Sequence, residues 1–101
     1  MVTIRIDVPP DKIEAFCRKW RITELSFFGS VLRDDFRPDS DVDVLVRFEA
    51  GAPWSLFDFG DMQEELQRIV ARPVDLVEAE ALRNPYRRHA ILSTRQVVYA
   101  A

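Results

Sequence analysis

Polar and apolar residues alternate through DVDVLVRFE, residues 41–49, and this period of two predicts the strongest strand in the chain. AGAPWS breaks it. Ser55 can then cap a helix from about Leu56 to Val70, where Phe59, Met62, Leu66, Ile69 and Val70 recur at helical spacing. An earlier helix is predicted over PPDKIEAFCRKW. Ile13, Phe16, Cys17 and Trp20 fall on one face, with Asp11 as the expected cap and Glu14 three residues later. ELSFF reads as a short strand ending at Gly29, SVLRDD as one or two helical turns, and RPDS as a loop. RPVDLVE is a further strand. Asn84-Pro85 starts a helix that runs to about Leu92, with Asn as cap and Pro in the first turn. VTIRIDV at the start and QVVYA near the end are expected as short strands. Helices alternating with strands give an α/β or α+β domain, a small mixed β-sheet packed with helices.

Composition narrows the class. With 101 residues, 48% of them apolar, the expectation is one globular domain spanning residues 1–101. No stretch approaches the roughly 20 apolar residues of a membrane span, and no signal peptide is visible, so a cytoplasmic protein is expected. Cys17 is the only cysteine, which excludes an internal disulfide; its apolar neighbours make it a small core residue. The net charge of −3 argues against a protein that grips a nucleic-acid template by its backbone. Of the 14 cationic residues 12 are Arg, a side chain suited to bidentate phosphate or carboxylate contacts.

Chemistry enters with the acids. On a strand Asp41, Asp43 and Leu45 share one face and Val42, Val44 and Val46 the other. The valine face packs on helices. The other face sets two carboxylates about 7 Å apart at the backbone, a repulsion on the order of 2 kcal/mol at an effective dielectric near 20. A divalent cation turns that repulsion into attraction. Mg²⁺ is typically held by one or two carboxylates plus substrate phosphates. Two-metal sites that drive displacement at phosphorus want a third acid from a neighbouring strand, and Asp75 in PVDLV is the candidate. Gly29-Ser30 supplies a complementary element. A glycine after a strand lets a ligand approach the backbone, the short helix behind it offers free N–H groups, and the Ser30 hydroxyl adds a donor. Arg33 follows within the same turn, placed to hold a phosphate or an acid of the site.

Gly29-Ser30, Arg33, Ser40-Asp41-x-Asp43 opening a Val/Leu-rich strand, and Asp75 between Val74 and Leu76 together resemble the nucleotidyltransferase superfamily that includes DNA polymerase beta. The match is closest to its small single-domain branch, the minimal nucleotidyltransferase (MNT) proteins, and it covers nearly the whole chain. One departure is Asp34, where many relatives carry glycine. The resemblance implies a palm-like nucleotidyltransferase fold. It implies Mg²⁺, two ions, as cofactor and ATP as substrate, with Asp41, Asp43 and Asp75 as catalytic metal ligands. Gly29, Ser30, Arg33 and Ser40 become nucleotide-binding residues. The transferred group is AMP, delivered to a hydroxyl with release of pyrophosphate, and no covalent enzyme intermediate is needed.

The MNT branch commonly pairs with all-helical HEPN ribonucleases, as antitoxin and toxin. The resemblance therefore implies a protein adenylyltransferase that modifies a tyrosine of a HEPN-type toxin partner, with no nucleic-acid template and no membrane. Two other readings stay open. One is a small-molecule nucleotidyltransferase like the aminoglycoside-modifying enzymes, completed by homo-oligomerisation. The other is a non-catalytic antitoxin that masks its partner. Arg83, Arg87 and Arg88 read as a solvated helix face or an acceptor-binding patch. His89 reads as a surface residue, and Trp54 and Phe57 as core or as a stacking or partner surface.

Overall fold

Four strands form one sheet in the order β3-β2-β1-β4 in a computed structural model that describes residues 6–33, 36–37 and 39–101: β1 is Ile22–Phe28, β2 Val42–Phe48, β3 Val74–Glu78 and β4 Gln96–Ala100. Three helices accompany them, α1 (Pro10–Lys19), α2 (Leu56–Val70) and α3 (Pro85–Thr94), with 3-10 turns at Gly29–Leu32 and Ala79–Ala81. β1 pairs antiparallel with both β2 and β4, whereas β2 and β3 run parallel. A parallel pair needs a crossover, and α2 provides it. The mixed sheet with its helices is the expected fold class.

The alternation in β2 sorts the two faces. Val42, Val44 and Val46 are buried with Leu25 and Phe27 of β1 against Ile13, Phe16 and Cys17 of α1 and Met62, Leu66 and Val70 of α2. On the opposite face Leu45 and Phe28 pack with Ala79, Leu82 and Ile91, the last from α3. This second cluster is small and leaves the N-terminal end of β2 uncovered. Cys17 is fully buried, and burial pushes its thiol up to about 12, so it is a core residue and no nucleophile at neutral pH.

Local chemistry explains the boundaries. Ser55 and Asp58 form a reciprocal capping box at the start of α2. Asn84 Oδ1 accepts from the N–H groups of Tyr86 and Arg87 at the start of α3. The expected cap at Asp11 is not used. Pro9 holds the N-cap position in extended conformation, Pro10 takes the first turn, and Asp11 lies inside the helix, where its charge favours the N-terminal dipole. Residues 2–5 of the expected first strand lie outside the described residues. Ile6 to Val8 are not in a strand, though Ile6 and Val8 pack against the core.

β3 is an edge strand, and its outward N–H groups are partnered. Val74 N donates to Gln67 Oε1 at 3.0 Å and Leu76 N to Gln63 Oε1 at 3.3 Å, both glutamines one turn apart on α2. Trp20 and Trp54, in edge-to-face contact, close the α1 side. Trp20 Nε1 donates to Glu65 at 2.6 Å and Trp54 Nε1 to the Trp20 carbonyl at 2.7 Å. Trp54 is thus a packing residue, whereas Phe57 is 88% exposed and does not enter the core. Among the described residues no helix is long and apolar enough to cross a membrane.

Candidate active site

The parallel pairing of β2 with β3 sets Asp43 directly beside Asp75, as it sets Leu45 beside Val77. In-register neighbours share a face, so both acids point to the side that α3 partly covers. Adjacent strands are about 4.8 Å apart, closer than the spacing of Asp41 and Asp43 along one strand. Asp41 is outside β2, in the residue just before it, and is exposed. The strand starts one residue late because Val42 N is the first to pair across, donating to Pro73 O at 2.9 Å.

Gly29 completes one wall. Phe28 at the end of β1 is the register partner of Asp43, so the chain turns away beside that carboxylate. Gly29 adopts φ +75°, a left-handed conformation that side chains resist, and a Cβ there would collide with Asp43 Oδ2. The close approach of backbone to carboxylate thus requires glycine. The segment that follows is one four-residue 3-10 turn, within the one or two helical turns expected, and Arg33 N closes it on Ser30 O at 2.9 Å. A turn that short has little dipole, so the case for a ligand here rests on the open Gly29 backbone. Asp34, the departure from the usual glycine, lies outside the described residues.

Charge is concentrated on Asp43. Its carboxyl is raised above the usual range, first by burial, then by the charges of Asp75 and Asp41. Arg87 and Arg33 pull the other way. Two further acids and two guanidiniums therefore act on this one carboxyl. Ser40 has a different surrounding: its hydroxyl accepts from Arg37 N at 3.1 Å and its own N–H donates to Arg37 O, which closes the turn before β2. Arg72 Nη1 donates to the same Arg37 carbonyl, and its guanidinium stacks on Phe36.

The donor set fits a hard divalent cation. It offers carboxylate oxygens only, close enough to repel, beside a backbone with no side chain. Asp41 and Asp43 are the pair that would hold it. Among the described residues no group of three or more His, Cys, Asp or Glu side chains is placed to hold a metal ion.

The three arginines of the 83–88 segment separate. Arg88 Nη1 donates to Ala79 O at 2.8 Å and anchors α3 to the turn after β3. Arg83 is exposed, as is His89. Arg87 acts on Asp43. Its helical position alone could not distinguish it from a solvated face. A cavity of about 850 Å³ opens at the other end of β2 and β3, lined by Phe48, Trp54, Phe59 and Leu76, and none of the three acids borders it. Shape favours that cavity. The convergent charge lies at the shallower end, and group transfer at phosphorus depends on charge.

Comparison with known proteins bears directly on this arrangement. The nucleotidyltransferase domain family matches residues 11–98. Protein adenylyltransferase MntA of Thermococcus cleftensis is 36% identical over 81 residues, covering 80% of this chain and 77% of its own. The fold superposes with a TM-score of 0.73 on a toxin–antitoxin structure with AMP-PNP, at 17% identity, covering 93% of this chain and 75% of that one. It superposes with a TM-score of 0.65 on a complex of a tri-AMPylated Shewanella oneidensis HEPN toxin with its MNT antitoxin, at 17% identity, covering 91% of this chain and 70% of that one. The chain belongs to the nucleotidyltransferase family, as a member of its minimal, MNT-type branch, and is a nucleotidyltransferase enzyme.

Proposed function

We propose that the protein is a Mg²⁺-dependent protein adenylyltransferase that moves AMP from ATP onto a tyrosine hydroxyl of a HEPN-type toxin, and so acts as its antitoxin. The observation that carries this is the in-register pair Asp43 and Asp75 beside the side-chain-free backbone of Gly29. The resemblance to a protein adenylyltransferase and to complexes with a HEPN toxin supports the choice of nucleotide and acceptor.

Mg²⁺, when bound, neutralises the phosphates and draws electron density from the α-phosphorus. The chain supplies the rest. Asp41 and Asp43 would hold the ion. Gly29 lets the outer phosphates lie against the backbone, and the Ser30 hydroxyl donates to one of their oxygens. Arg33 stands at the exit of that turn as a countercharge. Asp75, exposed and adjacent to Asp43, takes the proton of the acceptor hydroxyl. The hydroxyl oxygen then bonds to the α-phosphorus while the bond to the β-phosphate oxygen breaks, and pyrophosphate leaves. Positioning and charge neutralisation do most of the work.

The test is transfer of label from α-labelled ATP with Mg²⁺, for the chain alone and with a HEPN-type helical protein from the same organism. Label on the HEPN protein, lost with Asp41→Asn in a folded variant, is the expected result. Undiminished transfer by Asp41→Asn would remove the metal assignment. No label with Mg·ATP still bound would point to a small-molecule acceptor or to inhibition by masking.

A further inference from the structure

Leu56 and Phe57 open α2 with their side chains in solvent, 89% and 88% exposed. A single exposed apolar residue is ordinary. These two are adjacent, and Leu56 is also part of the wall of the cavity of about 850 Å³, with Phe48, Trp54, Phe59 and Leu76. The apolar lining therefore continues outward onto the first turn of the helix. That turn is closed by the capping box of Ser55 and Asp58, which makes no use of the two side chains between them. One turn on, Gly60 is exposed, with nothing within 4 Å of a Cβ. Glycine is a poor helix residue, and at a surface it leaves bare backbone that another chain can approach closely.

Charge around this apolar surface has one sign. From Glu49 to Gln67 the chain holds five acids, Glu49, Asp58, Asp61, Glu64 and Glu65, and no Lys, Arg or His. Glu49, Glu78 and Glu80 line the cavity, and no cationic side chain does. Glu49 is matched by Arg21, Glu80 by Arg47 and Glu65 by Lys19. Asp61, Glu64 and Glu78 make no ion pair among the described residues. Phe57, Asp61 and Glu64 follow at i, i+4 and i+7 and are all exposed, so an apolar residue and two unmatched acids share one face of α2.

These features define the occupant. A polyanion such as a nucleotide is repelled. A small apolar cation would fill the cavity and leave Leu56, Phe57 and the acids beyond them in water. A helix with apolar residues at i, i+3, i+4 and i+7 reaches both parts of the surface, and Lys or Arg beside that stripe meets Glu78, Asp61 and Glu64. We propose that the cavity and the first two turns of α2 form a docking surface for a cationic amphipathic helix of a protein partner. Phe48, in the cavity wall, is five residues along β2 from Asp43, about 17 Å. A helix seated here leaves the acids of the active site open.

The probes are two fluorescein-labelled peptides with leucine at i, i+3, i+4 and i+7. One carries lysine at the remaining positions and the other glutamate. Their affinities are measured by fluorescence anisotropy for the wild type, for Leu56→Ser with Phe57→Ser, for Asp61→Lys with Glu64→Lys, and for Tyr86→Ser, with thermal melting of each. Tyr86 is 86% exposed on α3 and outside the cavity wall, so it controls for non-specific apolar contact. The lysine peptide should bind the wild type and Tyr86→Ser alike, and the Leu56/Phe57 variant at least about 10-fold more weakly. The charge reversal at Asp61 and Glu64 should weaken it by about 10-fold as well, and it leaves the apolar wall untouched. The glutamate peptide should bind the wild type more weakly than the lysine peptide does. Equal binding of the two peptides overturns the proposal, as does no binding of the lysine peptide or an equal loss in Tyr86→Ser. Sedimentation of the chain alone tests the other occupant: self-association that Leu56→Ser with Phe57→Ser abolishes would assign the surface to a second copy and overturn the proposal too.

Discussion

Asp43 and Asp75 are paired residue for residue across two parallel strands, with the Gly29 backbone packed against the Asp43 carboxylate on the other side. A carboxylate is thus held between a second acid and a turn that tolerates no side chain.

The turn gives the sharpest test. Gly29→Ala forces a left-handed backbone on a side chain, costing about 1–2 kcal/mol, and drives its methyl into Asp43 Oδ2. Gly51 is the internal control. Its φ of +80° matches, but nothing lies within 4 Å of a Cβ there. Denaturant titration should show Gly51→Ala losing the backbone term alone and Gly29→Ala losing more. Mg·AMP-PNP binding should fall only in Gly29→Ala. Equal losses at the two glycines would show that the Asp43 contact has no energetic weight.

Asp43→Asn should stabilise the metal-free protein at neutral pH. The folded-state pKa of Asp43 is raised above the unfolded value, by burial first and by Asp75 and Asp41 next. The folded chain therefore keeps this proton at pH values where the unfolded chain has released it. The ionised group costs stability above the folded pKa, and that cost disappears as pH falls through it. Melting with chelator present should show a higher Tm for Asp43→Asn at pH 7, with the difference closing toward pH 4. Adding Mg²⁺ should stabilise the wild type and not the variant. A lower Tm for the variant at pH 7 would contradict the electrostatic account of the site.

The glutamines of α2 protect the edge of the sheet. Replacing Gln63 and Gln67 by Ala strips the outward N–H groups of Val74 and Leu76 of their partners. Each lost bond should cost on the order of 1 kcal/mol, and an exposed edge strand pairs with other chains. The double variant should show lower stability by denaturant titration and concentration-dependent association by light scattering. A monodisperse variant of wild-type stability would mean that water serves these groups as well as the glutamines do.

Much of this architecture is legible in the chain because it depends on neighbours in sequence. The Val/Asp alternation of residues 41–46 sorts the two sheet faces, Ser55 caps α2, and Asn84-Pro85 starts α3, each as the local pattern demands. The spacing of Gly29-Ser30, Asp41-x-Asp43 and Asp75 points to the nucleotidyltransferase family, and the family match spans residues 11–98. The errors have physical causes. Asp11 looks like a cap, but Pro9 already holds the extended conformation that a cap needs. Asp41 looks like part of the strand, but pairing begins with the Val42–Pro73 bond. Phe57 reads as core or as a stacking or partner surface, and the core reading fails because it faces solvent in the first turn of α2. Arg88 resembles its neighbours Arg83 and Arg87 in sequence because only a tertiary contact, its bond to Ala79 O, sets it apart.

The crossover through α2 also governs timing. During synthesis Asp41 and Asp43 leave the ribosome first, and Asp75 follows only after all of α2 has been made. Parallel strands cannot pair until their connection is complete. Until β3 docks beside β2, the nascent chain carries two acids and no catalytic constellation. On the proposed roles of Asp41, Asp43 and Asp75, nucleotide chemistry arises only with the closing of the sheet.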